Sequence, residues 1–117
     1  MQIIKDESKG DGIVILRLDG RLDAISSPKL DDEIENLLNN HKLKLIIDFS
    51  GVDYLSSAGM RALLSGTKKV SKKGGKLSTH SMNEDLMEII KMAGFGAILT
   101  ICLTEDEAIK SLNQNRA

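Results

Sequence analysis

A strongly apolar strand-like run, Leu43 to Phe49, leads through a short link into Asp53-Tyr54-Leu55-Ser56-Ser57-Ala58-Gly59-Met60-Arg61, and this junction constrains the fold more than any other stretch. Leu43, Leu45, Ile47 and Phe49 line one face of a strand, and Ile46 adds apolar character to the other, so the strand is central. Beyond the link, Met60, Leu63, Leu64, Thr67 and Val70 recur at helical spacing as one core-facing stripe, with Lys68, Lys69, Lys72 and Lys73 largely off it. The residues that open this helix, Ser56 to Gly59, are all small. Such a start offers bare N–H groups, the positive end of the helix dipole and a hydroxyl that another protein's active site can reach. A phosphoryl group can be added and removed there. Serine is equally a common N-cap, so the small residues alone do not choose between the two roles.

The rest of the chain builds a sheet around that unit. Residues 2–7 and 13–18 predict two strands joined across Lys9-Gly10-Asp11-Gly12, an antiparallel hairpin. The second has apolar residues on both faces near its start, which predicts cover on both sides. Gly20-Arg21-Leu22-Asp23 then turns the chain out of the sheet. Ser27 as N-cap and Pro28 as first helical residue open a helix whose buried stripe is Leu30, Ile34, Leu37 and Leu38, with Asp31, Asp32 and Glu33 near its positive end. Asn39-Asn40-His41 ends it, and His41 reads as a solvated loop residue. Gly74-Gly75 stops the central helix.

Lys76 to His80 forms a short strand. Asn83 caps a third helix with Leu86, Ile89, Ile90 and Ala93 inward, and Gly94 ends it. Ala97 to Leu103 is the last strand. Thr104-Glu105-Asp106-Glu107 is a capping box opening a fourth helix, with Ala108, Ile109 and Leu112 inward. The expected architecture is α/β: an N-terminal hairpin, then alternating strands and helices, a mixed sheet with about four helices packed against it. One domain fills residues 1–117, its core about 2–112, with 113–117 as a frayed tail.

Composition removes several function classes. With 16 basic against 17 acidic residues the formal net charge is -1, and no field draws in nucleic acid. Aromatics amount to Phe49, Tyr54 and Phe95, too few for a base-stacking platform. No apolar stretch reaches transmembrane length, so membrane insertion is not expected. A lone cysteine, Cys102, sits in an apolar run and reads as a small core residue. A cytoplasmic home is the simplest expectation.

Catalysis finds little support. The nucleophile elbow needs Gly-x-Ser-x-Gly, and Leu55 stands two residues before Ser57 where the first glycine belongs. Nothing aims His80 at Ser57. Walker A and Gly-x-Gly-x-x-Gly patterns are absent, and His41, His80 and Cys102 lack metal-ligand spacing. Asp23, Asp48 and Asp53 stand near the expected carboxyl edge of the sheet, but three loop aspartates serve more often as caps and turns than as a metal site. No catalytic residue, cofactor or metal is expected.

Leu45-Ile46-Ile47-Asp48-Phe49-Ser50-Gly51-Val52-Asp53-Tyr54-Leu55-Ser56-Ser57-Ala58-Gly59-Met60-Arg61 resembles the signature of STAS domains of the anti-sigma factor antagonist family. Gly20-Arg21-Leu22-Asp23, Lys73-Gly74-Gly75-Lys76 and Ala93-Gly94-Phe95 fall where that family has comparable residues, so the similarity runs from about residue 11 to residue 112. The resemblance implies a bacterial binding switch, not an enzyme. The unphosphorylated form would bind an anti-sigma factor that is also an ATP-using serine kinase, freeing a sigma factor. Phosphorylation of the serine matching Ser57 would break the complex, and a metal-dependent serine phosphatase would reset it. The implied partner surface is Asp23 with Ser56, Ser57, Ala58, Gly59, Met60 and Arg61. Many members carry Asp immediately before the phosphorylated serine; Ser56 stands there in this chain and is the alternative acceptor. The competing implication is a STAS subunit that docks constitutively on a transporter ATPase or sensory complex.

Overall fold

The computed structural model describes residues 1–113; the tail expected at 113–117 lies, except for Asn113, outside them. A single mixed sheet runs in the order β1-β2-β3-β4-β5, from β1 (Gln2–Asp6), β2 (Ile13–Leu22), β3 (Lys44–Leu55), β4 (Lys76–His80) and β5 (Thr100–Cys102). The β1–β2 pair is antiparallel and all others are parallel, as the hairpin followed by strand–helix alternation requires. The helices are α1 (Ser27–Asn39), α2 (Ser57–Lys72), α3 (Glu84–Met92) and α4 (Glu105–Leu112).

The two sheet faces are unequal. Val14, Leu16, Leu18, Leu45, Ile47, Phe49 and Leu77 meet Leu30 and Ile34 of α1, Leu63 and Val70 of α2, and Leu86 and Ile90 of α3 in the main core. On the opposite face Ile13, Ile15 and Ile46 meet Ala108 and Leu112 of α4 in a smaller one. The start of β2 is therefore covered on both sides, as its continuous apolar run demands.

Both long strands outrun their expected ends. Instead of turning out at Gly20, β2 continues to Leu22, and β3 continues six residues past Phe49. Arg17 pairs with Asp48 but Asp19 with Gly51, and Gly20 pairs with Val52 but Arg21 with Tyr54, so β3 carries one extra residue at each of two places. These bulges let Gly20, which reads as a turn, and Gly51 lie inside the ladder. Gly20 takes φ 124°, a left-handed value open to glycine.

Smaller corrections follow from capping and packing. Ser26, not Ser27, is the α1 N-cap, which places Asp31, Asp32 and Glu33 beyond the first turn. Ser56 caps α2, and α2 starts at Ser57. The last strand shortens to three residues: Ile98 and Leu103 lie exposed while Leu99 alone is deeply buried in that run. Ile89 and Ala93 of the α3 region face outward. His41 is exposed at φ 61°, ending α1 as expected, and Gly74 (φ 84°) and Gly94 (φ 83°) follow the ends of α2 and α3.

The start of α2 is clamped to β2. The Ser56 N–H donates to the Leu22 carbonyl at 3.0 Å, and Gly59 lies so close to that carbonyl that a Cβ on it would collide with Leu22 O. A backbone carbonyl held in a sheet cannot move aside as a side-chain tip can. Gly59→Ala should therefore destabilise the domain by about 1–3 kcal/mol despite alanine's better helix propensity, read as a lower urea midpoint at unchanged slope.

Candidate functional site

The clamp brings two turns onto one ledge. Leu22 ends β2 and is followed by Asp23, whose Oδ1 accepts the N–H groups of Ile25 and Ser26, each at 3.1 Å. Ser26 Oγ donates to the Arg21 carbonyl at 2.6 Å and accepts the Asp23 N–H at 2.9 Å. The Ser27 hydroxyl donates to the Asp23 carbonyl. These bonds fix the turn that leads into α1 and hold the Asp23 carboxyl below the usual carboxylate range, the Ser26 N–H contributing most. On the other side of the clamp, Leu55 ends β3 and α2 begins. A shallow surface depression joins them, lined by Arg21, Asp23, Ala24, Ile25, Tyr54, Ser56, Ser57 and Ala58.

Within that depression the two serines differ. Ser56 is half-buried, and its Oγ accepts the Gly59 N–H at 3.1 Å, an N-cap bond. Ser57 is exposed, and its hydroxyl makes no hydrogen bond among the described residues. The N–H groups of Ser57 and Ala58, at the positive end of a 16-residue helix, likewise have no acceptor there. Ala58 is half-buried and Arg61 exposed, one turn further on. Gly59 and Met60, also expected at the partner surface, are buried: Gly59 against Leu22, and Met60 in the main core. They place the helix start and do not present a surface.

Asp48 is not part of this ledge. The expectation put it near the carboxyl end of its strand with Asp23 and Asp53 near the same edge. It is in fact the fifth residue of the twelve-residue β3 and faces α4. There Arg17 Nη1 lies 2.8 Å from both Asp48 Oδ2 and Glu105 Oε1, while its Nη2 donates to Asp6 Oδ2 at 2.7 Å. His80, buried beside them, shares a 2.8 Å bond between Nδ1 and Ser81 Oγ, and its Nε2 stands 3.4 Å from Glu105 Oε1. Asp48, His80 and Glu105 are close enough together to suggest a metal centre, but the Arg17 guanidinium already supplies the positive charge between the two carboxylates. His80's polar contacts are with this network and not with Ser57.

The sequence reading missed Arg17 and Glu105. The available signal was Arg17 itself, one charge in line with Ile13 and Ile15 on a face otherwise reserved for the core. Cys102 is half-buried, and burial pushes its thiol up, which suits a packing residue better than a nucleophile. Among the described residues, no helix is long and apolar enough to cross a membrane.

Comparison with known proteins bears on the same fold. The STAS domain family model matches residues 6–108. The chain belongs to the STAS domain family. A curated relative, the anti-sigma F factor antagonist of Paenibacillus polymyxa, is 22% identical over 102 residues, covering 86% of this chain and 87% of its own. Among solved structures, an anti-sigma factor antagonist from Mycobacterium paratuberculosis superposes with a TM-score of 0.84 at 21% identity, over 97% of this chain and 94% of that one. The Bacillus cell fate determinant SpoIIAA in its phosphorylated form superposes with a TM-score of 0.71 at 18% identity, over 94% and 98%. The STAS fold expected from the sequence is thus the fold observed.

The Arg17 network has a measurable pH signature in this STAS domain. Burial acts to raise the Asp48 pKa, but the Ser50 N–H and Arg17 outweigh it and hold the carboxyl below its ordinary value. Arg17 does the same for Glu105, and Ser8 together with Arg17 for Asp6. Groups depressed in the folded state contribute stability that is full above their unfolded pKa and lost as pH falls through the folded one. Unfolding free energy should therefore decline from about pH 5 downward. Arg17→Gln should lower stability at neutral pH by about 1–3 kcal/mol, less than for a fully buried pair because Arg17 is partly exposed, and should flatten the acid limb of a urea-denaturation series.

Proposed function

We propose that this STAS domain is an anti-sigma factor antagonist that works by partner switching. Its unphosphorylated form binds an anti-sigma factor with serine kinase activity and so frees a sigma factor. Phosphorylation of Ser57 by that ATP-using kinase ends the complex, and a metal-dependent serine phosphatase restores the binding form. The observation that carries the reading is the division of labour at the start of α2: Ser56 is spent as the cap, and Ser57 is left exposed with a free hydroxyl. The names of the Paenibacillus and Mycobacterium proteins point the same way.

The chemistry is consistent on both sides of the switch. A phosphate brings about -1.5 to -2 charges and three strong acceptors. At Ser57 it meets unpaired N–H groups and the positive end of α2, so the domain itself tolerates it. Against a partner surface seated on Asp23, Ser56, Ser57, Ala58 and Arg61, the same charge must be desolvated next to whatever the partner presents, and binding suffers. Ser56 is the poorer acceptor because its hydroxyl is half-buried and already engaged with the Gly59 N–H, whereas that of Ser57 is exposed and free.

Intact mass and peptide mapping of the protein isolated from its own cells test the modification. Trypsin releases Leu45 to Arg61 with Ser50, Ser56 and Ser57 together, so fragmentation has to assign the site. Phosphate is expected on Ser57 and absent in Ser57→Ala. Ser57→Asp should weaken binding to the cognate kinase about a hundredfold, close to 3 kcal/mol, while Ser57→Ala binds as wild type does. If calorimetry finds Ser57→Asp binding as tightly as wild type, the release mechanism is wrong, and constitutive docking on another assembly takes its place.

A further inference from the structure

Arg21 is the feature of the ledge that the switch as described leaves unused. It is the cross-strand partner of Tyr54 near the end of the β2–β3 ladder, and its guanidinium carbon lies over the Tyr54 ring, 4.0 Å from the centroid. Among the described residues none of its side-chain N–H groups makes a hydrogen bond; its one ionic neighbour is Asp23, with Nε 3.7 Å from Oδ2. A planar donor fork is thus held in place by stacking while its donors stay unspent. Arg21 and Ser57 line the same depression, in which Arg21 is the single cation and Asp23 the single anion. Arg61, the other cation near Ser57 along the helix, does not line it.

We propose that Arg21 is the phosphate-receiving residue of this domain: once Ser57 is phosphorylated, the guanidinium leaves its loose contact with Asp23 and pairs with the phosphate oxygens across the depression. The inference rests on the reading of Ser57 as the phosphosite. A guanidinium matches two phosphate oxygens with two parallel N–H donors, whereas the carboxylate at 3.7 Å offers it only a weak, solvent-screened contact. Exchange of partners then does two things at once. The phosphate is drawn against the domain, and Asp23 loses the positive charge beside it. Both residues expected to meet the partner change their charge environment through one side chain.

The test needs no native kinase. Phosphoserine is installed at position 57 of the full chain by genetic code expansion, in the wild-type background and with Arg21→Gln, Arg21→Lys or Arg61→Gln. Phosphorus NMR then follows the second ionisation of the phosphate, ordinarily near about pH 6. The helix N-terminus acts equally in all four proteins, so differences between them report the arginines. Expected is a titration midpoint about half a unit lower in wild type than in Arg21→Gln, with Arg21→Lys between them and Arg61→Gln close to wild type. Coincident curves for wild type and Arg21→Gln overturn the proposal. So does Arg21→Lys equal to wild type, which would reduce the effect to nonspecific charge, and so does a shift carried by Arg61→Gln instead. Absence of phosphate from Ser57 in cells would sink the proposed switch without touching this titration, so the two failures are distinguishable.

Discussion

The structure depends on one close backbone approach, where the first turn of α2 lies against the last residue of β2. Without a side chain at Gly59 the helix can lie against the Leu22 carbonyl, which also takes the Ser56 N–H. That contact spans a sequence separation of more than thirty residues. It makes neighbours of two turns that the chain order keeps apart, the Asp23 turn into α1 and the Ser57 entry into α2. A bulkier residue at position 59 would open the ledge at its base. Within the small-residue run at the helix start, Gly59 is thus a packing requirement, while Ser57, exposed, is free of it.

The opposite face of the sheet solves a different problem. There α4 is short and covers only the first half of β2, so the sheet passes from a dry core under Ala108 and Leu112 to open solvent within a few residues. Arg17 stands at that boundary. By bridging Asp6, Asp48 and Glu105 it ties β1, β2, β3 and the N-terminus of α4 together with charged groups that tolerate partial wetting. Paired this way, an Asp 6% exposed in the middle of a central strand keeps its charge without calling for a metal or a catalytic role.

What the sequence made legible follows from the range over which its signals act. Helix stripes, caps and the hairpin are local, and Leu30-Ile34-Leu37-Leu38, the Asn83 cap, the Thr104 cap and the glycines after α2 and α3 all sit where periodicity and capping chemistry place them. The end of β2 was misread because a glycine inside a bulged ladder has the same local signature as a turn; only pairing with β3 tells Gly20 apart from an exit. Ala97 to Leu103 read as a longer strand because apolar composition does not reveal how many partners the edge of a sheet leaves available. The Arg17 network joins residues up to 88 positions apart, a relation no window of sequence displays. At the ledge, the pair Ser56-Ser57 was visible, but which serine caps and which stays free depends on one hydrogen bond to Gly59.

That single bond also bears on what a serine at position 56 does for the ledge that an aspartate would not. An aspartate at position 56 would cap the helix with a full negative charge and set it beside any phosphate placed on Ser57. A serine caps the same N–H without charge. A phosphate on Ser57, as proposed, would then share the ledge with Asp23 and the Arg21 guanidinium, with one fewer anion to repel it. Serine at position 56 therefore keeps the cap and adds no anion beside the position where the proposed phosphate would sit. On the proposed switch, the helix start would take the phosphate with little change in the domain's own stability, leaving the free energy of modification to act on whatever docks against the ledge.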